Sequence, residues 1–313
     1  MKILVTGGAG FIGSHLVDAL LADGHDVIAL DNLSTGKPDN LTSARSLDRF
    51  DFAELDIRDD LKPFFKKHSF QAVYHLAAQA NVQRSIIDPA LDAEINVNGT
   101  VNLLEAAKTN GVERFMFASS VAIYGESGGK AVDETKHPAP LSPYGVSKAT
   151  AMRRLSDFHE TDTFFVDTLV LANVYGTRQD PGGEGGVVAV FTDKMARGVS
   201  PVIFGSGQQT RDFVYVNDVA EAFKLCLNET DRASENIINI GTGRGTTVEE
   251  LFQTLKVITG FEGDATHQPV RSGDITDMRV STQHAVEKLG WEAKTTLKEG
   301  LKPTIQWFKS LER

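Results

Sequence analysis

Residues 2–31 read KILVTGGAGFIGSHLVDALLADGHDVIALD, and this stretch decides the fold. Its first part, KILVTG (2–7), is a short apolar run ending on glycine, as a buried strand does. Gly7, Gly10 and Gly13 follow at intervals of three. From Phe11 to Ala22 apolar residues recur at helical spacing, and DVIALD (26–31) is a second apolar run. The reading is strand, glycine turn, helix, strand. Glycine is required where a turn needs positive φ and where backbone approaches a pyrophosphate closely. The helix opening with Phe11 and Ile12 offers unbonded N–H groups and the positive end of its dipole at the same place. Glycines alone are a weak signal. The second signal is Asp31, 18 residues past Gly13 at the end of the second strand, with Asn32 beside it. A carboxylate there accepts hydrogen bonds from the adenosine ribose hydroxyls and repels a 2′-phosphate. No arginine follows at once in DNLSTGK (31–37), so the turn predicts NAD rather than NADP. Asp56 and Ile57, in LDIRD (55–59), are expected to bracket the adenine.

Outward from this unit, strands are expected at FDFAELD (50–56), QAVYHLAA (71–78), RFMFASS (114–120) and FFVDTLVLAN (164–173). Helices are expected over 95–111 and 143–160. Repeated strand–helix–strand units imply a parallel sheet covered on both faces. The fold class is therefore α/β, a doubly wound parallel sheet of the Rossmann type with a smaller C-terminal α/β substrate lobe. Leu76, Ala77 and Ala78, ending the 71–78 strand, are assigned to the cofactor wall. After Asn173 the pattern loosens into TRQDPGGEGG (177–186), a loop by its glycines and proline. NIINIG (236–241) reads as a return to the sheet. The expected division is a cofactor domain over 1–173, rejoined at 214–240, and a substrate lobe from 174–213 and 241–313.

Composition narrows the function classes. With 313 residues, 41% hydrophobic and 24% charged, the chain is an ordinary globular one. A formal net charge of −10 argues against a broad nucleic-acid or anionic-membrane footprint. The single cysteine, Cys226, sits in the amphipathic AEAFKLCLN (220–228) and is read as packing; no internal disulfide is possible, which fits a reducing compartment. No charged and apolar leader precedes the first strand, and no apolar run reaches the ~18 residues of a membrane span, so the cytoplasm is expected. The eight histidines show no metal-ligand spacing, and no metal is expected. His75 is read as bonding locally and His15 as lying on the surface of the first helix.

SPYGVSK (142–148) places Tyr144 and Lys148 one helical turn apart on one face, with Pro143 suited to a helix start. A free tyrosine, with pKa ~10, is a poor base at neutrality. Bringing it near 7 takes about 4 kcal/mol of preferential stabilisation of the phenolate. A nearby ammonium and the positive nicotinamide can supply that in a desolvated site. Ser120, ending the 114–120 strand, can hydrogen-bond the reacting hydroxyl, with Ser119 as the rival.

An ordered set of motifs carries a resemblance along the whole chain: TGGAGFIGSHL, DNLSTG, HLAAQANVQRS, NVNGT, SSVAIYG, SPYGVSK, NVYGTRQDP, RDFVYVNDVA, NIGTG and RSGD. On these the sequence resembles the extended short-chain dehydrogenases/reductases of the NAD-dependent epimerase/dehydratase family, and among them the UDP-glucose (UDP-galactose) 4-epimerases. The resemblance implies that Asn96 lies near the cofactor, Tyr144 is the base, Lys148 holds the nicotinamide ribose and Ser120 assists Tyr144. It implies further that Asn173, Val188, Arg211, Arg271 and Asp274 line the nucleotide-sugar site. Guanidinium forks suit a diphosphate, which agrees for the two arginines. The implied reaction is transient oxidation of the hexose at C4, rotation of the 4-keto sugar about its diphosphate anchor, and reduction from the other face. Related dehydratases show an Asp-Glu pair after the serine. Here Val121, Ala122 and Ile123 follow Ser120, with no ionisable group, which disfavours elimination. Alternatives are 4-epimerisation of UDP-GlcNAc/GalNAc, permitted by the flexible Met278, or of UDP-glucuronate, with Arg84 reaching its carboxylate. A non-catalytic NAD-binding module is disfavoured, because such members commonly lose the tyrosine or lysine. Relatives usually pair as homodimers through a bundle of the helices at roughly 91–110 and 143–160.

Overall fold

In this computed structural model, residues 1–159, 164–182, 186–228, 236–270 and 275–311 are described. The chain opens with β1 (Lys2–Thr6), α1 (Phe11–Ala22), β2 (Asp26–Asp31), β3 (Phe50–Glu54), α2 (Lys62–His68) and β4 (Ala72–His75). It continues through α3 (Val82–Ile87), α4 (Pro89–Ala93), α5 (Thr100–Thr109), β5 (Arg114–Ser120), α6 (Pro143–His159), β6 (Phe165–Leu171) and β7 (Asn173–Tyr175). Next come α7 (Val187–Ala196), β8 (Val202–Phe204), β9 (Thr210–Arg211), β10 (Phe213–Tyr215), α8 (Val216–Leu225) and β11 (Asn236–Ile240). The remainder supplies β12 (Thr246–Thr247), α9 (Val248–Thr259), β13 (Thr266–Gln268), α10 (Gln283–Leu289) and α11 (Leu297–Leu311).

Seven of these strands form one parallel sheet in the order β11-β6-β5-β4-β1-β2-β3. Helices cover both faces, so the sheet's apolar runs are buried without alternation, as in β1, where Ile3, Leu4 and Val5 are inaccessible. From β1 the chain lays β2 and β3 to one side, then crosses back to lay β4 and its successors on the other. The order reverses between β1 and β4. A crevice opens beyond the carboxyl ends of strands at such a switch point, and Gly7 and Leu76–Ala78 follow those two strands.

Two apolar cores lie beneath this topology. The larger flanks the sheet and takes in Cys226 together with Met278, Val280, Ala285 and Trp291. The chain thus meets the larger core again after β11, through residues 278–291. The smaller core gathers Phe191, Ile203, Phe213, Leu251, Phe252, Leu301 and Ile305 from α7, β8, β10, α9 and α11.

One element differs from expectation. The helix expected over 95–111 runs through a wider, π-helical turn at Glu94–Gly99 before α5 begins. Tight packing and side-chain competition account for it. A Cβ at Gly99 would lie 2.7 Å from the Ile57 side chain. The Thr100 hydroxyl donates to Asn96 O at 2.7 Å, and buried Asn96 spends its amide on Gln79.

His75 pins the sheet to this turn. Its Nδ1 lies 2.8 Å from Thr6 Oγ1 and its Nε2 lies 2.9 Å from Thr100 Oγ1. Because the Thr100 hydroxyl donates to Asn96 O, it must accept from the ring, so Nε2 carries the proton and Nδ1 accepts from Thr6. Burial, with the Lys148 charge adding to it, pushes the His75 pKa down to about 3. The unfolded chain binds this proton below about 6.5 and the folded chain does not, so stability is full above 6.5 and falls as pH drops towards 3. At pH ~4.5 the loss from this residue is about 3 kcal/mol. Imidazole ¹⁵N resonances should report one Nε2–H tautomer, unchanged between about pH 8 and 5. A ring titrating near 6.5 would contradict the assignment.

Candidate active site

The glycine turn is built for close approach. Gly7 has φ +67°, and a Cβ there would meet Ala77 N at 2.7 Å, across the switch point. A Cβ at Gly13 would sit 2.1 Å from Gly7 O, so α1 presses directly on the turn. Gly10 precedes α1 with no side-chain cap, leaving the first N–H groups of the helix to an external partner. Asp31 ends β2 buried, its Oδ2 accepting from Ala9 N at 3.0 Å and its Oδ1 from Leu33 N at 2.8 Å. Burial raises its pKa, and the N–H groups of Leu33, Ala9 and Gly10 oppose the rise. A carboxylate has about four acceptor positions, so these N–H groups leave capacity for a ribose hydroxyl.

These groups line a cavity of about 450 Å³. Every residue assigned to the cofactor from the sequence lines it except Asn96, which stands buried behind the wall. Asn32 and Asp56 are joined there, Asn32 Nδ2 donating to Asp56 Oδ2 at 2.8 Å. Arg58, not singled out by the sequence, grips Asp56 with a fork at 2.8 and 2.7 Å and holds its carboxyl well below the usual range. That guanidinium is thereby engaged beside the ribose carboxylate. Glycines that a Cβ would obstruct, capless N–H groups and a buried carboxylate with spare acceptor capacity fit a dinucleotide without a 2′-phosphate.

A second cavity, of about 510 Å³, lies between the sheet and the smaller core. Ala80, Asn81 and Tyr144 line both cavities, which places the tyrosine at their junction. Tyr144 is 8% exposed on the first turn of α6, held by main-chain bonds: its N–H donates to Ser85 Oγ and its carbonyl accepts from Ser147 Oγ. One turn on, Lys148 is 3% exposed, its Nζ 2.9 Å from Ala118 O and 4.7 Å from the Phe117 ring centroid. The two serines part company, since successive strand residues face opposite ways. Ser120 lines the second cavity, whereas Ser119 turns its hydroxyl to Met152 Sδ at 2.9 Å.

Asn173, Arg211 and Met278 line the second cavity with Ser120. Arg84 lines the cofactor cavity instead. Val188 is buried in the smaller core, and its neighbours Val187 and Val190 face the cavity in its place. Arg271 and Asp274 lie outside the described residues. The sequence also passed over Gln79, Asn81 and Lys194, all of them cavity-lining.

His15 is not a surface residue. It is partly buried, with Nδ1 2.9 Å from Phe11 O and Nε2 2.9 Å from Thr177 Oγ1, and burial with the nearby Arg178 charge pushes its pKa down to about 4. Arg178 binds Asp18 at 2.7 Å, Asp180 lies 3.6 Å from Lys37, and Gly182 lines the cofactor cavity. Residues 177–182 therefore strap α1 to the far side of the cofactor crevice.

Residues 3–241 match the NAD dependent epimerase/dehydratase family. The chain belongs to that family. NAD is the cofactor of this epimerase/dehydratase chain, and the cradle's chemistry fits it. It is 40% identical over 312 residues to a UDP-glucose 4-epimerase of Mycolicibacterium smegmatis, covering 99% of each. A UDP-glucose 4-epimerase of Thermotoga maritima, solved with UDP-glucose, superposes with a TM-score of 0.95 at 45% identity, covering 100% of both chains. A Thermus thermophilus UDP-glucose 4-epimerase in complex with NAD superposes at 0.90, with 40% identity and 99% coverage of both.

Proposed function

We propose that this epimerase/dehydratase-family chain interconverts UDP-glucose and UDP-galactose by inverting C4 of the hexose through a transient 4-keto sugar. The observation that carries the reading is Tyr144 at the junction of a dinucleotide cavity and a second cavity lined by Arg211. The glycine turn and Asp31 hold the dinucleotide, which when bound supplies a reversible hydride acceptor. Tyr144 takes the proton of the sugar 4-hydroxyl, with Ser120 bonding the same oxygen. Lys148, one helical turn away, favours the phenolate by its charge and bonds the nicotinamide ribose. Its ammonium lies 2.9 Å from Ala118 O and 4.7 Å from the centroid of the Phe117 ring, beside the turn that carries Tyr144. Arg211 tethers the diphosphate while the flat keto sugar turns over. Val121 and Ala122, beside Ser120 on the second cavity, bring no ionisable group to the hexose, which supports epimerisation over loss of water.

Glucose and galactose are favoured over glucuronate, because Arg84 lies on the cofactor cavity rather than beside Ser120. The decisive experiment mixes purified protein with UDP-galactose and couples UDP-glucose formation to its dehydrogenase. Steady NADH formation is expected. No signal with any UDP-hexose at saturating NAD⁺ would overturn the reading. A reducing, cytoplasmic setting suits a chain whose single cysteine, Cys226, is buried. Exposed Leu141 and Val146 flank a groove between α4 and α6, which supports a homodimer through these helices; sedimentation at a single 34.0 kDa mass would refute it.

A further inference from the structure

Gln79, Ala80 and Asn81 form the turn that walls the cofactor cavity, and two of them continue into the second. The turn has no element of regular structure to stiffen it. Its shape is set by one side chain: Gln79 Oε1 accepts from Asn81 N at 2.7 Å, and Gln79 Nε2 donates to Asn81 O at 3.0 Å. Both bonds require the Gln79 amide in one orientation. A flipped amide would oppose oxygen to oxygen and nitrogen to nitrogen at both contacts.

That orientation is dictated from behind. Asp92, on α4, is 1% exposed and lines neither of these two cavities; it stands at the floor of the groove between α4 and α6. Its Oδ1 accepts from Gln79 Nε2 at 2.7 Å and from Asn96 Nδ2 at 3.2 Å. The oriented Asn96 then takes Gln79 N at 2.9 Å on its own Oδ1, and its two amide hydrogens are shared among Asp92 Oδ1, Gln79 O at 2.9 Å and Ser147 Oγ at 3.1 Å. Ser147 in turn donates to Tyr144 O at 3.0 Å. One carboxyl oxygen thus fixes two amides, one of which shapes the turn while the other joins it to the helix carrying Tyr144. The second oxygen, Oδ2, is buried with no hydrogen-bond partner in the described structure. A buried polar atom left unsatisfied is costly, so Asp92 is poor as a purely stabilising residue.

We propose that Asp92 is a positioning residue for the C4 epimerisation: its Oδ1 locks Gln79 and Asn96 and so sets the Gln79–Asn81 turn against bound NAD and against Tyr144. The catalytic half of this statement rests on the proposed function; the cofactor half does not.

The test uses four variants of the holoprotein and two readouts, exchange of bound NAD for labelled NAD⁺ and epimerase turnover. Asp92→Leu, which accepts no hydrogen bond, should speed NAD exchange and lower kcat by about tenfold or more each, with KM for the UDP-sugar within about threefold. Asp92→Asn keeps an oxygen where Oδ1 stands and should stay within about threefold of the parent on both. Gln79→Glu sets two carboxyls at the 2.7 Å contact, where they must share a proton, so its NAD exchange should quicken as pH rises through neutrality. Adding Asp92→Asn to Gln79→Glu leaves one carboxylate facing an amide donor, at the cost of the longer Asn96 contact, and should flatten that pH dependence. The proposal fails if Asp92→Asn is as impaired as Asp92→Leu, or if the double variant keeps the pH dependence of Gln79→Glu. Should Asp92→Leu not fold, the Gln79→Glu pair decides alone. Expected exchange behaviour in a protein that turns over no UDP-hexose would leave Asp92 in place and remove the proposed function.

Discussion

Tyr144→Phe is expected to lower turnover about a thousandfold while bound NAD is retained. The size follows from chemistry: removing a positioned general base costs about 10²–10⁴ in rate, some 4 kcal/mol of barrier at the middle of that range. The selectivity follows from structure. Tyr144 is held through its main chain, by the Ser85 and Ser147 hydroxyls, and the substitution touches neither bond. The ring, almost wholly buried, keeps its packing when the hydroxyl goes. Lys148 keeps its bond to Ala118 O and its place over Phe117. The NAD content of the purified variant should therefore equal the parent's. Retained turnover would place the base elsewhere, and joint loss of NAD and turnover would mean that the hydroxyl is part of the cofactor site rather than the acid–base group.

The parts of this site that sequence reveals are those fixed by short covalent spacing. Three glycines at a strand–helix junction, a carboxylate one strand later and a tyrosine one turn before a lysine each need only local geometry, and all meet at one cavity. What escapes is decided by distant contacts. His15 is turned inward by Thr177, 162 residues away. Asn96 is near the cofactor cavity but one layer behind it, bonded to the main chain of Gln79: spacing cannot tell whether a side chain faces a cavity or stands behind its wall. Asp92 lies in no motif, and Gln79, though inside HLAAQANVQRS, shows no role by its spacing, because the meaning of each comes from the other. A helical wheel would have helped with Val188. Val187, Val190, Phe191 and Lys194 line the cavity at intervals of three and four, and Val188 falls off that stripe into the smaller core. Strand alternation likewise separates Ser119 from Ser120, but only the sheet's position between its helices says which of the two faces the substrate.

Gly13→Ala should weaken NAD binding about a hundredfold, close to 3 kcal/mol. Two effects of opposite sign compete. Gly13 lies inside α1, where alanine is the better helix former by about 1 kcal/mol. Against this, the new methyl would lie 2.1 Å from Gly7 O and 2.8 Å from Gly7 C, well inside contact distance. The turn cannot yield cheaply. Gly7 O already accepts from Gly10 N at 3.0 Å, Gly8 N donates to Leu30 O at 3.3 Å, and Gly7 itself abuts Ala77 N. Overpacking of this kind costs about 1–3 kcal/mol or more, and here it meets backbone rather than a side chain that can swing away. Relief comes only by lifting the turn from α1, which spreads the N–H groups meant for the pyrophosphate. Gly10→Ala provides the graded comparison, because its Cβ would lie 3.0 Å from the same carbonyl and Gly10 already has φ −76°, open to any residue. Calorimetry should rank NAD affinity as parent, then Gly10→Ala, then Gly13→Ala by a wide margin. Equal affinities for the two variants would show that the turn and helix part easily and that the cradle is not the rigid element its contacts describe.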